Sequence, residues 1–298
     1  MLINHLIRIY FHVCDKYKEQ LCWEVQRFSN NSQPAAMITD EELMTIYVFC
    51  VAYEEKYKIK SMYNHIKNHW HSWFPTLPSY QAFNARLNRL CDAFCVLMME
   101  FFNSLSVGSD KLKVLLGDCF PVITCSHKRA GKVARELTDK GFCATKKLHF
   151  CGVKVHVLGL QRRGIIPFPQ YVEVTPGSVH DLAALKEVLE KTKADAFVLD
   201  KAYADTDLSK QMLSNNNVLL TPIKDKKGWT AIFKQREQAF NDLFNNAVAT
   251  LRQPIESLFN WINERTHIQN ASKVRSSNGL LLHLYGKLTA ALMIMAGF

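Results

Sequence analysis

One short run constrains this chain more than any other. Val114 to Gly117, with Lys113 before them, reads as a buried strand, and the apolar stretch closes on a carboxylate, Asp118. Pro121, three positions on, is expected to stop the strand, because proline cannot donate to a ladder. A carboxylate at the end of a buried strand is costly unless something binds it. A turn or cap aspartate and a metal ligand are the two readings open at this point.

The flanks of that run differ in kind. Residues 1–30 read as an amphipathic helix, and 30–36 as a turn-rich break. Thr39 with Glu42 forms a capping box that opens a helix to about Tyr57. Further helices are expected over 61–73 and, after Ser79 as N-cap, over 79–104. No strand pattern occurs in this part. After Gly108 the period changes: strands are expected at 114–118, 148–160, 165–174, 196–199 and 218–223, with helices at 181–193 and 206–214 and from Ala231 to the end. Residues 126–147 read as a basic irregular segment. Three early strands can pair antiparallel, while strands separated by helices must add in parallel. The expected fold is therefore α/β, a mixed sheet flanked by helices over 109–298, preceded by an all-helical domain over 1–108.

A second strand of this unit also ends on an aspartate, Asp200 after Ala196–Leu199. Ligands of open α/β sheets bind at the carboxyl ends of parallel strands. If the first and fourth strands are neighbours, Asp118 and Asp200 leave the same edge. A third carboxylate is available in the helix around Pro254, where Ile255, Leu258, Phe259 and Ile262 form the apolar stripe and Glu256 borders it. Arg252 lies four residues earlier, on the same face if the helix continues through Pro254, a residue that belongs in a first turn or at a kink. Three carboxylates make an oxygen site suited to Mg²⁺ or Mn²⁺.

With Asp118, Asp200 and Glu256 in this order, residues 110–298 resemble the catalytic domain of bacterial insertion-sequence transposases of the DDE type, which have a ribonuclease-H-like fold. The resemblance rests on GDCFPV around Asp118, VLDKAYAD around Asp200 and RQPIESLFNWINER around Glu256. Arg252 matches the arginine that precedes the glutamate in that family. Ala249 stands where relatives carry tyrosine, and Asn263 where they carry lysine, with Arg265 two residues further on. The resemblance implies DNA cleavage and strand transfer by two-metal phosphoryl transfer, with Asp118, Asp200 and Glu256 as catalytic residues and ligands of two Mg²⁺ (or Mn²⁺) ions. Implied partners are the terminal inverted repeats of an element and target DNA, and pairing two ends implies a homodimer on DNA.

Charge points the same way. Residues 1–110 hold 10 Lys and Arg against 11 Asp and Glu, whereas 111–298 hold 27 against 16. Within the latter, 111–160 carry 10 against 3, a basic excess beside Asp118 that favours a polyanion. Lys128, Arg129 and Lys132 in that run are expected phosphate contacts, which position rather than specify. Lys154 and His156, on one face of their strand, are further candidates, against the alternative of exposed strand polar residues. In the helical domain Arg86 and Arg89, near Gln81, Asn84 and Asn88, are of types that read bases or phosphates, and the helix pair is compatible with a helix-turn-helix.

Other features exclude rather than suggest. Nine cysteines, odd in number and with no C-x-x-C pair, do not make a disulfide framework or a zinc ribbon, and reduced thiols are expected. The N-terminus has no secretory pattern, and the apolar C-terminal stretch is interrupted by His283 and Lys287, so a buried helix and a cytoplasmic, nucleoid-associated protein without membrane contact are expected. His65 and His69 share zinc-like spacing but lack a companion, and a surface helix face is preferred. Asp181 is the rival carboxylate to Glu256. The alternatives in function are a structure-specific nuclease of the same fold that does not join strands, a non-catalytic DNA-binding derivative of a transposase, and a helical scaffold.

Overall fold

The computed structural model describes residues 2–25, 38–104, 112–126, 128, 131–143, 147–223 and 230–298. Contacts divide the chain into two compact units. The first comprises Met1–Ser104, Ala130–Glu136 and Ile262–Phe298, and the second comprises Leu105–Arg129 and Leu137–Trp261.

The first unit is helical. It contains α1 (Leu2–Lys16), a π-helical turn (Tyr17–Leu21), a short α2 (Cys22–Glu24), α3 (Asp40–Ala52), α4 (Ile59–His69), α5 (Tyr80–Arg89), α6 (Cys91–Ser104) and α10 (Ser277–Met295). The capping box at Thr39 forms as the sequence indicates: its hydroxyl accepts from the Glu42 amide and the Glu42 carboxylate accepts from the Thr39 amide. Helix α3 ends at Ala52, short of Tyr57, and the expected long helix from Ser79 breaks at Leu90 into α5 and α6. α3 and α10 are apolar on almost every side, so each needs to be surrounded. α10 packs on α6, α3 and α5, which places the C-terminal helix with the N-terminal helices rather than with the sheet. Among the described residues no helix is long and apolar enough to cross a membrane.

The second unit holds a six-stranded mixed sheet: β1 (Val114–Ser126), β2 (Asp139–Cys143), β3 (Leu148–Arg162), β4 (Ile165–Pro176), β5 (Ala196–Val198) and β6 (Val218–Leu220). β1 lies between β3, antiparallel, and β5, parallel, and β6 continues in parallel beyond β5. β2 and β4 share the far edge of β3, one along its first residues and the other along the rest. Helices α7 (Asp181–Lys191) and α8 (Thr206–Ser214) and the 36-residue α9 (Ala231–Thr266) complete the layers. This is the α/β, ribonuclease-H-like arrangement of a mixed sheet between helices, and β1 and β5 are neighbours.

Two strand expectations need correction. β1 does not stop before Pro121 but runs to Ser126. Its parallel partner β5 pairs only as far as Leu116, so beyond that point β1 has one neighbour, and a proline with its missing N–H on the open side costs no ladder bond. β2 lies inside the segment read as irregular. It is an edge strand of five residues with only Gly141 buried, and so lacks the apolar alternation that marks strands.

Alternation along β1 sorts the two faces of the sheet. Leu115 joins Leu158, Leu185, Phe197, Leu199, Tyr203 and Leu208 in one buried cluster under α7 and α8. On the other face Phe120 meets Phe259 of α9 edge-to-face at 4.9 Å. Between them Gly117 lets two leucines close in: a Cβ there would stand 2.3 Å from Leu199 Cδ2 and 2.7 Å from Leu158 Cδ2, so both methyls would have to move.

Candidate active site

Asp118 follows the last residues of β1 that pair with β5, and Asp200 follows Leu199 at the end of β5, ahead of a 3₁₀ turn over Lys201–Tyr203. Parallel adjacency therefore delivers two carboxylates to one edge. The third group comes from α9, which runs through Pro254 without interruption. Proline in a helix interior forfeits one backbone bond, but the helix keeps its period, and Arg252 and Glu256 lie one turn apart on one face.

Arg252 is the hub. Its Nη2 donates to Asp118 Oδ2 at 3.0 Å and its Nη1 to Asp200 Oδ1 at 3.1 Å. Its Nη2 also lies 3.6 Å from Glu256 Oε1. The three carboxylates picked from the sequence thus gather around one guanidinium, which is 12% exposed. They are not equivalent: the Asp118 side chain is 22% exposed, Asp200 43% and Glu256 61%. Burial pushes the Asp118 carboxyl up to about 6, against the pull of Arg252 and of the Cys119 amide, which donates to its Oδ1. The nearby Asp200 charge works in the same direction as burial.

The remaining expected contacts separate into exposed and enclosed groups. Lys128, Lys132, Arg89 and Arg265 are exposed, and Arg129 lies outside the described residues. Lys154 and His156 do share a face, but that face is covered. The Lys154 ammonium donates to Asp181 Oδ1 at 2.8 Å and to the Val179 carbonyl at 2.9 Å. His156 has no exposed surface, and its Nε2 is 2.8 Å from Thr175 Oγ1. Burial also drives its imidazole down to about 4, so it is neutral. A neutral, enclosed ring cannot serve as a phosphate contact, and the reading of His156 as a DNA-binding residue is withdrawn on that ground. Arg86 is likewise engaged within its own unit: Nε donates to Asp40 Oδ1 at 2.8 Å and Nη2 to the Val25 carbonyl at 2.7 Å. Asp40, 3% exposed, requires that cation, which residue type alone does not reveal.

His180 caps α7, its Nδ1 accepting from the Leu182 amide, while Asp205 caps α8 through the Asp207 and Leu208 amides. Asp181, the rival to Glu256, is tied to Lys154 and does not belong to the Arg252 cluster. His65 pairs with Glu54 at 2.9 Å rather than forming a histidine site. Two groups were not anticipated: Cys119 and Tyr203. Their advance signal is position in the sequence, Cys119 directly after Asp118 and Tyr203 three residues after Asp200.

Residues 112–293 match the model of a family described as transposase DDE domain. Two solved structures also resemble the chain, a pre-cleavage Mos1 transpososome and a Mos1 transposase paired-end complex with left transposon end. The first is 11% identical and covers 91% of this chain and 82% of that one, with a TM-score of 0.20. The second is 12% identical and covers 89% and 82%, also with a TM-score of 0.20. Scores that low carry no argument about fold or function. No curated protein sequence gives a significant match. Because the family match takes in more than half of the sequence, from the approach to β1 to the last turns of α10, the chain belongs to the family of transposase DDE domains.

Proposed function

We propose that this transposase cuts DNA at the ends of a mobile element and joins those ends to target DNA by in-line phosphoryl transfer. Asp118, Asp200 and Glu256 are the catalytic carboxylates in this reading and the ligands of Mg²⁺ or Mn²⁺. The donor set suits such ions. All three groups are hard oxygen donors, they come from three different elements, and a single positive group, the Arg252 guanidinium, already bridges two of them. That bridge is the observation that carries the proposal. Bound there, a divalent ion would activate water or a DNA 3′-hydroxyl and stabilise the leaving oxygen.

The chain's own residues supply the rest. Arg252 offsets the mutual repulsion of the aspartates before any cation arrives, and once displaced from their oxygens it is a positive group beside a phosphodiester. Glu256, 61% exposed, leaves the outer side of the cluster reachable from solvent. Lys128 and Lys132 and, at the end of α9, Arg265 are assigned to backbone contacts, and Arg89 on α5 to end recognition.

The test uses the purified full-length chain with Mn²⁺, duplexes carrying the element's ends, and a target plasmid. Cleavage and joining of a pre-cut end are expected, with both lost in Asp200→Asn. Cleavage without joined product would make the chain a nuclease of the same fold. Unchanged cleavage in Asp200→Asn would overturn the site.

A further inference from the structure

Next to the carboxylate cluster, but on the other face of the sheet, β1 and β3 bring together a different set of donors. Cys119 and His156 are register partners in the antiparallel ladder, so their side chains leave the same face as neighbours. Asp181, at the start of α7, closes the group: Cys119 Sγ is 3.4 Å from Asp181 Oδ1. One ligand atom from each of the three lies within 4.8 Å of the other two, and among the described residues no other group of three or more Cys, His, Asp or Glu does so.

Two buried polar atoms at this place have no partner. His156 is wholly enclosed, and with Nε2 held by Thr175 its Nδ1 is left without a hydrogen bond. The Tyr203 hydroxyl is also buried and unpartnered, on a side chain 1% exposed that lies within electrostatic reach of Cys119 and Asp181. An enclosed polar atom without a partner costs about 1–3 kcal/mol. Two of them around a thiol, an imidazole and a carboxylate indicate a missing ligand rather than a packing accident.

We propose that Cys119 Sγ, His156 Nδ1 and the Asp181 carboxylate bind one borderline transition-metal ion of the Zn²⁺ class. Sulfur, imidazole nitrogen and carboxylate oxygen are the three donor types such an ion accepts in tetrahedral sites, with the Tyr203 hydroxyl or a water available for the fourth position. Thr175 on Nε2 supplies the outer contact that fixes the ring of a ligating histidine. The same donors disfavour Mg²⁺, which takes oxygen and keeps its waters. Binding releases the Cys119 thiol proton to solvent and returns Lys154 from Asp181 to its remaining acceptor, the Val179 carbonyl. Since Cys119 follows Asp118 directly, the ion would clamp the backbone from which the catalytic carboxylate projects, while the carboxylate itself faces α9.

The experiment is titration of the reduced, metal-free full-length chain with Co²⁺, followed by X-ray absorption on the Zn²⁺-loaded chain. A thiolate-to-metal charge-transfer band that saturates at one equivalent of Co²⁺ is expected. Cys119→Ser should abolish the band, His156→Gln should weaken binding by at least about tenfold, and Asp200→Asn should leave both unchanged. The zinc shell of the unaltered chain should contain one sulfur with nitrogen and oxygen neighbours. A band that survives in Cys119→Ser, or a shell with no sulfur or more than one, overturns the proposal. The absorption measurement decides the matter even if Cys119→Ser does not fold.

Discussion

Arg252 Nη2 and Asp118 Oδ2 stand 3.0 Å apart, so the most enclosed carboxylate of the cluster is neutralised by a side chain one helical turn ahead of Glu256. Charge-assisted bonds of this kind contribute about 1.5–3 kcal/mol when enclosed, and the more exposed Asp200 adds less.

Arg252→Gln removes the cation and leaves Asp118 and Asp200 facing each other. The metal-free variant should melt earlier, by an amount equivalent to about 2 kcal/mol. Millimolar Mn²⁺ should raise its melting temperature more than it raises that of the unaltered chain, because guanidinium and metal compete for the same oxygens. Thermal melts with and without Mn²⁺ measure both effects, and equal metal responses would contradict the competition.

Glu256 is the most exposed of the three carboxylates and approaches Arg252 at 3.6 Å. Glu256→Gln should therefore leave stability within about 0.5 kcal/mol. End cleavage should fall by at least about a hundredfold, the order expected for loss of an electrostatic group at a reacting centre. Denaturant unfolding beside a cleavage assay separates the two quantities.

Arg86 and Arg89 sit on the same helix with opposite expected roles. Arg86→Ala abandons a buried Asp40 carboxylate and should cost about 3 kcal/mol. Arg89→Ala touches an exposed group, so stability should hold while the slope of DNA affinity against salt falls by about one unit. Melting curves and binding titrations at several salt concentrations check the pair.

Lys287 of α10 is 1% exposed, with its ammonium donating to the His267 carbonyl at 3.1 Å. Burial lowers its pKa to about 7, far under that of a free lysine. Between about 7 and about 10.4 the unfolded chain holds a proton that the folded chain does not. Stability from this group therefore rises with pH across that window, by up to about 1.4 kcal/mol per unit. Lys287→Met should flatten the gain seen between pH 7 and 9 in chemical denaturation, and an unchanged gain would assign the slope to other groups.

Much of the site could be read from residue order because few topologies satisfy it. Two apolar runs end on aspartates, strands separated by helices add in parallel, and if the first and fourth strands are neighbours Asp118 and Asp200 leave one edge. Arg252 and Glu256 needed only helical spacing. The failures share a cause, which is that neighbours distant in sequence decide exposure. His156 reads as a polar strand residue, yet both faces of β3 are covered. Pro121 reads as a terminator because the sequence does not reveal that β1 has lost its second neighbour. α10 reads as the end of the sheet domain, although its all-round apolar surface is satisfied by α3, α5 and α6.

Gly117 connects the carboxylate pair to the core. The Leu199 methyl occupies the place where a side chain at 117 would begin, and Leu199 is bonded directly to Asp200. Even the smallest addition, Gly117→Ala, must turn the Leu199 and Leu158 methyls out of that place. Both are flexible side-chain ends, so the strain falls on their packing in the cluster under α7 and α8. A residue with no side chain thus links the interior of that cluster to the edge where Asp118 and Asp200 leave the sheet.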